Sequence, residues 1–335
     1  MKILVTGASG FIGGRFAKFA LEQGLSVRIN GRRPEAVEHL VKHGAQFVQG
    51  DLGDPLLVQR LCRDIDVVVH CAGAVGVWGN YQHFYQANVT VTENVIKACL
   101  GQKVRRLLHL SSPSIYFDGQ AHVGIKEKQV PKRFSDHYGA TKYLAEEKVF
   151  AAEALGLEVI AYRPRFVTGA GDTNIFPRLI DMQRKGRLSI IGNGLNQVDF
   201  TSMQNLNDAL FSGLMDTGPA LGKVYNISNG TPVPLWDAVN YVLQQLNLPP
   251  VTRHLPYGVA YAAATLNETL CKLLPGRPEP SLFRLGVAVM AKDFSLDISR
   301  AQQHLNYAPQ VSVWAALDEF CHWWKATQSA PRLTH

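Results

Sequence analysis

Short apolar runs alternate with longer segments whose apolar positions recur every three to four residues, and this rhythm organises the first half of the chain. The runs are ILVT, SVRIN, QFVQG, DVVVH, RLLHL and EVIAY. Helical patterns lie between them at residues 11–23, 34–43, 55–63, 84–100 and 136–155. Strands that are apolar on both faces need cover on both sides. The pattern therefore predicts an α/β fold, a doubly wound parallel sheet of about six strands with helices on each face.

Past Arg163 the rhythm breaks. Short strands are expected at SIIG and VYNIS, with helices near residues 175–184, 205–215 and 235–246. Pro249, Pro250, Pro275, Gly276, Pro278 and Pro280 punctuate this part, which reads as a smaller, loop-rich α/β lobe. No internal repeat or long linker is visible in the sequence.

Gly7, Gly10 and Gly13 follow the first strand and open the first helix, in the spacing G-x-x-G-x-x-G. The first allows a sharp turn, the second lets backbone N–H groups approach a pyrophosphate, and the third lets helix and strand pack closely. Phe11 and Ile12 lie within the same phosphate-facing turn. This points to a dinucleotide. An acidic residue ending the second strand would bond a ribose 2′-OH, but the chain reads SVRINGRRPE there. Arg32 and Arg33 can instead grip a 2′-phosphate, so NADP(H) is expected over NAD(H), the plain alternative being two solvated surface charges. Residues 1–166 are then the nucleotide-binding domain, with a return of the chain near 198–228. Residues 167–335 are mainly the substrate lobe.

Tyr138 and Lys142 stand four residues apart in HYGATKYLAEEKV, so both project from one helix face. A phenol is a poor acid or base at neutral pH, and a neighbouring ammonium is expected to lower its pKa. The fifth strand ends in LLHLSSPSIYF, which supplies hydroxyls at Ser111, Ser112 and Ser114.

TGASGFIG, the Tyr138–Lys142 pair and SIY together resemble the extended short-chain dehydrogenase/reductases, the epimerase/dehydratase type with a Rossmann fold, over nearly the whole chain. The resemblance implies that Ser112 bonds the substrate oxygen, that Tyr138 moves its proton, and that Lys142 also holds the nicotinamide ribose. It implies adenine contacts from Asp51 and Leu52, a loop beside the ribose and nicotinamide at Cys71, Ala72 and Gly73, and a nicotinamide-facing loop at Pro164 and Arg165. Asn88 matches a bracing Asn in the family's N-V-x-G-T helix. Here Thr90-Val91-Thr92 lacks the usual Gly, so local packing is expected to differ.

The segment AGAVGVWGNYQHFYQANV is most similar to the bacterial 2-alkyl-3-oxoalkanoate reductases, within the branch that also holds 3β-hydroxysteroid dehydrogenases. That implies reduction of a 2-alkyl-3-oxo acid to its 3-hydroxy acid, with Trp78 and Tyr81 over the substrate. Arg165 is also available for a substrate carboxylate. A sterol dehydrogenase or a sugar-nucleotide dehydrogenase or epimerase is the runner-up, for which Arg178, Arg184, Lys185 and Arg187 offer diphosphate contacts. A cofactor-sensing protein without catalysis is a third class. Relatives also imply a homodimer through the helices carrying Asn88 and Tyr138.

Composition narrows the picture further. Hydrophobic residues make up 46% and charged residues 18%, with a mean hydropathy of −0.04. That excludes a disordered or polytopic membrane chain. The net charge of +7 is scattered, and KEKQVPKR at residues 126–133 reads as a solvated loop rather than a nucleic-acid patch. Five cysteines without C-x-x-C spacing suggest neither a metal site nor disulfides, and a cytoplasmic setting. The first apolar run is too short for a signal peptide. Residues 259–274, interrupted by Asn267, Glu268 and Lys272, predict an amphipathic helix rather than a transmembrane one, which leaves peripheral membrane contact open.

Overall fold

A computed structural model describes residues 1–76, 78–216, 218–276 and 278–329. Its central sheet contains β1 (Lys2–Thr6), β2 (Ser26–Gly31), β3 (Gln46–Gln49), β4 (Val67–His70), β5 (Arg106–Leu110), β6 (Glu158–Pro164) and β7 (Lys223–Ile227). They lie in the order β7-β6-β5-β4-β1-β2-β3, all parallel. The sheet thus has one strand more than the six expected. The seventh is VYNIS, which leaves the second lobe to pair with β6 in the register Tyr225↔Tyr162.

Alternation along β1 explains the two layers of cover. Ile3 and Val5 face Phe16, Ala17 and Ala20 of α1 (Phe11–Glu22). Leu4 faces the opposite layer, with Leu57, Val58 and Leu61, Val95 of α2 (Val91–Gly101) and Val149 of α3 (His137–Ala151). Each fully buried Leu, Val or Phe contributes roughly 1.5–3 kcal/mol. Strand order reverses between β1 and β4, where Thr6 lies opposite His70. The crevice outside the carboxyl ends of these strands is where such sheets bind ligands.

Four details depart from the sequence pattern. The helix expected at 34–43 breaks into a 3₁₀ turn, Glu35–Val37, and a short helix, Glu38–Lys42, because only Val37 and Leu40 find a core. The helix expected from Phe84 begins at Tyr81 and passes through a π-wound segment, Tyr85–Thr90, before α2. In the expected solvated loop, Lys126, Lys128, Lys132 and Arg133 are exposed but Glu127 is buried. It accepts from the Asn226 N–H at 3.1 Å and pairs with Arg300 at 3.5 Å. The helix Tyr257–Leu273 buries Ala260, Ala264 and Glu268 and turns Val259, Leu266, Leu270 and Leu273 outward. Glu268 pairs there with Arg284 at 2.9 Å.

The second lobe carries a four-stranded sheet, in the order Val233–Pro234, Gln197–Val198, Phe294–Leu296 and His122–Ile125. A separate apolar core around Phe176, Phe200, Trp236 and Phe320 supports it. Among the described residues, no helix is long and apolar enough to cross a membrane.

Candidate active site

The glycine turn leaves no room for a side chain at Gly7 or Gly13. Gly7 has φ +69°, and a Cβ there would lie 2.8 Å from the Ala72 backbone. A Cβ on Gly13 would lie 2.5 Å from the Gly7 carbonyl oxygen. Gly10 caps α1 without a side-chain hydrogen bond. The N–H groups of Phe11, Ile12 and Gly13 therefore remain as donors at the positive end of the helix. That donor set fits a pyrophosphate.

Beyond β2, Arg32 and Arg33 are exposed, and Arg32 lies 3.9 Å from Asp51. Gly31 faces Ser9, whose Oγ would lie 3.2 Å from an added Cβ. Asp51 caps its own turn, accepting from the Gly53 N–H at 2.7 Å, and the carbonyl of the buried Leu52 accepts from Asn94 at 3.0 Å. The turn at which adenine contacts are expected is thus fixed by its own hydrogen bonds.

Cys71, Ala72 and Gly73 run past the end of β4 beside the glycine turn. Burial pushes the Cys71 thiol up to about 12. The Ala72 N–H donates to Thr6 Oγ1 at 3.3 Å. Gly73 sits against Asn88 Oδ1, 2.9 Å from where a Cβ would be.

A buried polar chain supports this floor. Asn88 Oδ1 accepts from the Ala74 N–H at 2.8 Å, and its Nδ2 donates to Thr141 Oγ1 at 3.1 Å, tying the π segment to α3. Thr92 Oγ1 donates to the Asn88 carbonyl at 2.6 Å. Thr92 stands where the resemblance expects Thr, and Val91, in place of the usual Gly, begins α2 directly after the π segment. His70 joins Thr92, at 3.1 Å from Nε2, to Thr6, at 2.8 Å from Nδ1. Because the Thr92 hydroxyl already donates to Asn88, it accepts from His70, which assigns the proton to Nε2. Burial, helped by the charge of Lys142, holds this imidazole neutral, with its pKa down to about 3.

Ser112 caps the 3₁₀ turn Pro113–Tyr116. Its Oγ accepts from the Ser114 N–H at 3.2 Å and meets Ser114 Oγ at 3.1 Å. Tyr138, in the first turn of α3, brings its phenol within electrostatic reach of the Ser112 hydroxyl. Burial raises the phenol above its ordinary value, the Ser112 hydroxyl acts against that, and Asp136 adds to it. Asp136 caps α3, accepting from the Gly139 N–H at 2.7 Å. Gly139 lets α3 approach the strand end, since a Cβ there would lie 2.9 Å from the Ser114 carbonyl.

Lys142 shares the face of Tyr138 but donates to the Leu110 carbonyl at 2.5 Å. Burial lowers it to about 8, against the raising effect of Glu146. Burial is the largest influence on the Tyr138 phenol, and the ammonium is turned toward Leu110. Ser111 is buried with an unpartnered Oγ, its N–H bonded to the Tyr162 carbonyl at 2.7 Å.

Pro164 ends β6, and Arg165 follows with its guanidinium against the Phe166 ring at 3.7 Å. Trp78 lies under Lys272 of the second lobe, at 5.8 Å. Tyr81 is exposed and meets His137 edge-on at 5.5 Å. Of the second-lobe cations, Lys185 is taken up by Asp181 at 2.7 Å, and Arg178 lies 3.9 Å from Glu279, both at exposed positions.

Two groups escaped the sequence reading. The Phe84 ring lies 6.2 Å from that of Tyr138 and packs on Gly76 and Gly79; the two glycines were the available signal. Arg163 is buried in an ion pair with Glu146 and also donates to Tyr116. Glu146 lies one turn beyond Lys142, and an arginine inside an apolar strand was its mark.

Enzymes that hold a dinucleotide across such a switch point and present a phenol beside it are NAD(P)-dependent oxidoreductases, and this chain is one. It belongs to the NAD dependent epimerase/dehydratase family, whose model matches residues 3–228. It is 36% identical to the 2-alkyl-3-oxoalkanoate reductase of Stenotrophomonas maltophilia (strain K279a), over 93% of this chain and 96% of that protein. It is 32% identical to the protein of the same name from Shewanella oneidensis, over 92% and 82%. The UDP-glucuronic acid 4-epimerase of Bacillus cereus, solved in complex with NAD, shares the fold with a TM-score of 0.77 at 24% identity, over 98% of this chain and 99% of that one.

Proposed function

We propose that this protein is an NADPH-dependent reductase that converts the ketone of a hydrophobic 2-alkyl-3-oxo acid into the 3-hydroxy acid. The observation that carries the substrate is near full-length identity to two reductases of that name. In this reading, residues 1–166, with the return of the chain through β7, hold the nucleotide, and residues 167–335 shape the substrate site.

Gly7, Gly10, Phe11, Ile12 and Gly13 would hold the pyrophosphate, Asp51 and Leu52 the adenine, and Cys71, Ala72, Gly73 and Pro164 the nicotinamide side. Arg32 and Arg33 would take the 2′-phosphate, since no acidic residue ends β2 to repel it. The reduced nicotinamide supplies a hydride when bound. Ser112 positions the ketone oxygen by a hydrogen bond, and Tyr138 donates its phenolic proton to that oxygen. Burial keeps the phenol protonated at neutral pH, which is the form a reduction needs. Lys142, anchored on Leu110, has two further N–H donors for the ribose hydroxyls and for the negative charge left on the Tyr138 oxygen once its proton has moved to the ketone oxygen. Trp78 and Tyr81 would flank the alkyl chains. We include a homodimer through the helices bearing Asn88 and Tyr138, which sedimentation tests.

The direct test follows NADPH absorbance with a 2-alkyl-3-oxo acid, a 3-oxosteroid and a UDP-sugar in parallel, and NADH for comparison. Preference for the oxo acid with NADPH is expected. Turnover only of the steroid or the sugar nucleotide would move the substrate to the sterol or sugar-nucleotide class.

A further inference from the structure

Arg165 is 5% exposed, yet its Nε and Nη2 have no hydrogen-bond partner. These two nitrogens form one edge of the guanidinium, the edge that offers two parallel N–H groups to a carboxylate. No carboxylate lies within 4.0 Å of it among the described residues; Asp199 acts on it only electrostatically. Asp199 accepts from the Leu296 N–H through Oδ2 at 2.6 Å, and its Oδ1 is likewise buried without a partner among the described residues. Asp199 offsets part of the cost of burying this charge, but a guanidinium edge with two unbonded N–H groups is costly to keep, and its retention points to a ligand.

The surroundings hold this edge in place. The Arg165 N–H donates to the Ile227 carbonyl at 3.0 Å, and its carbonyl accepts from Thr201 Oγ1 at 2.6 Å. The guanidinium packs on two rings, Phe166 at 3.7 Å and Phe294 at 4.3 Å. Phe166 adopts φ +40°, a strained conformation for a bulky residue and one that concentrates at functional sites.

Its position places it beside the reacting centre. β6 is the neighbour of β5, so Arg165 and Ser112 leave the sheet at adjacent strand ends, joined where the Ser111 N–H meets the Tyr162 carbonyl. Phe294 also packs on Phe117, at 5.7 Å, which closes the turn that Ser112 opens. A 3-oxo acid has its carboxylate two bonds from the ketone carbon, so a cation serving it must lie beside the hydroxyl that holds the ketone.

We propose that Arg165 is the substrate-carboxylate receptor, binding the acid side-on through Nε and Nη2 and selecting 3-oxo acids over neutral ketones. This rests on the reductase reading above and names the residue that makes the enzyme acid-specific. It takes Arg165 out of the expected set of cofactor contacts.

The test compares kcat/KM for a 2-alkyl-3-oxo acid and its methyl ester, in the wild-type enzyme and in Arg165→Gln and Arg165→Lys, with NADPH affinity measured by fluorescence. The wild type is expected to prefer the acid, and Arg165→Gln to reduce the acid-to-ester ratio by about 10- to 100-fold, with Arg165→Lys between. An unchanged ratio, or a loss matched by weakened NADPH binding, overturns the proposal. Should the variants fail to fold, calorimetry on the wild-type enzyme with NADP⁺ compares a 2-alkyl-3-hydroxy acid with its methyl ester. Tighter binding of the acid supports the proposal, and equal affinity overturns it. Wild-type turnover of acid and ester at equal kcat/KM overturns this inference alone. Turnover of neither, beside turnover of a 3-oxosteroid, overturns the reductase reading and this inference with it.

Discussion

The Lys142 ammonium is bonded to the main-chain carbonyl of Leu110, 32 residues earlier in the chain, rather than to Tyr138 one helical turn away. The lysine thereby clamps α3 to the end of β5, the strand that delivers Ser112. Its burial brings it to about 8, so the ammonium is lost as pH rises through that value. The rate of reduction is expected to fall above pH 8. A rate that stays flat to pH 10 would show that its charge plays no part.

Tyr138→Phe removes the proton donor and leaves the ring against Phe84. Its kcat is expected to fall by about 10²- to 10⁴-fold. Lys142→Met should lose nucleotide affinity as well, because it removes both the clamp and the ribose donors. Near-normal turnover by Tyr138→Phe would refute the assigned mechanism.

Gly10 and Gly13 separate binding from folding. An alanine Cβ at Gly13 would press on the Gly7 backbone at 2.5 Å, whereas at Gly10 the nearest atom is 3.3 Å away and φ is −96°. Gly13→Ala is expected to cost about 1–3 kcal/mol of stability and to weaken NADPH binding. Gly10→Ala should lose less melting temperature than Gly13→Ala while weakening binding, since its methyl group occupies the phosphate approach. Calorimetry and fluorescence titration check both; equal melting losses would show that the turn is tight throughout.

Arg32 and Arg33 stand in solvent, and at that exposure the Arg32–Asp51 pair contributes little to stability. Replacing both by Ala is expected to raise KM for NADPH by about 10-fold or more while leaving KM for NADH within about 2-fold. Parallel changes for the two nucleotides would remove the 2′-phosphate assignment.

His70 makes folding pH-dependent. Its native pKa is about 3, against an ordinary value of 6.5, so as pH falls the unfolded chain takes up the proton first. Its contribution is full above pH 6.5 and is lost progressively toward pH 3, by about 1.4 kcal/mol per unit. Asp199 and Asp172, both raised to about 6, act in the opposite sense between pH 4 and 6, and the buried His109 acts in the same sense as His70, so the wild-type curve alone mixes them. Comparison with His70→Asn isolates the histidine. Between pH 6.5 and 5 the wild type should lose about 2 kcal/mol more than the variant. An equal loss of unfolding free energy between the two pH values in wild type and variant, measured by denaturant unfolding, would contradict a neutral buried His70.

Much of the fold was legible because its determinants are local. The apolar runs marked six strands of the central sheet, and the glycine turn could be read from spacing alone, since the absence of side chains is a property of those positions. The four-residue interval between Tyr138 and Lys142 put both on one face for the same reason. What neither residue's neighbours in sequence reveal is direction: desolvation by the surrounding layers raises the phenol, and a carbonyl from another strand takes the ammonium.

The rest depended on packing between distant segments. VYNIS is a short strand in isolation and becomes the sheet's edge only because β6 offers it a free side. Glu127 looked solvated within a charged run, yet the Asn226 N–H and Arg300 hold it inside. The amphipathic pattern of Tyr257–Leu273 did not tell which face turns inward; Glu268 goes in because Arg284 meets it there. Arg165 likewise reads as one cation among many. Its sequence position determined that it follows the strand beside Ser112. Only the tertiary structure, by burying it between Phe166 and Phe294 with one edge unpaired, decided that its charge awaits a partner.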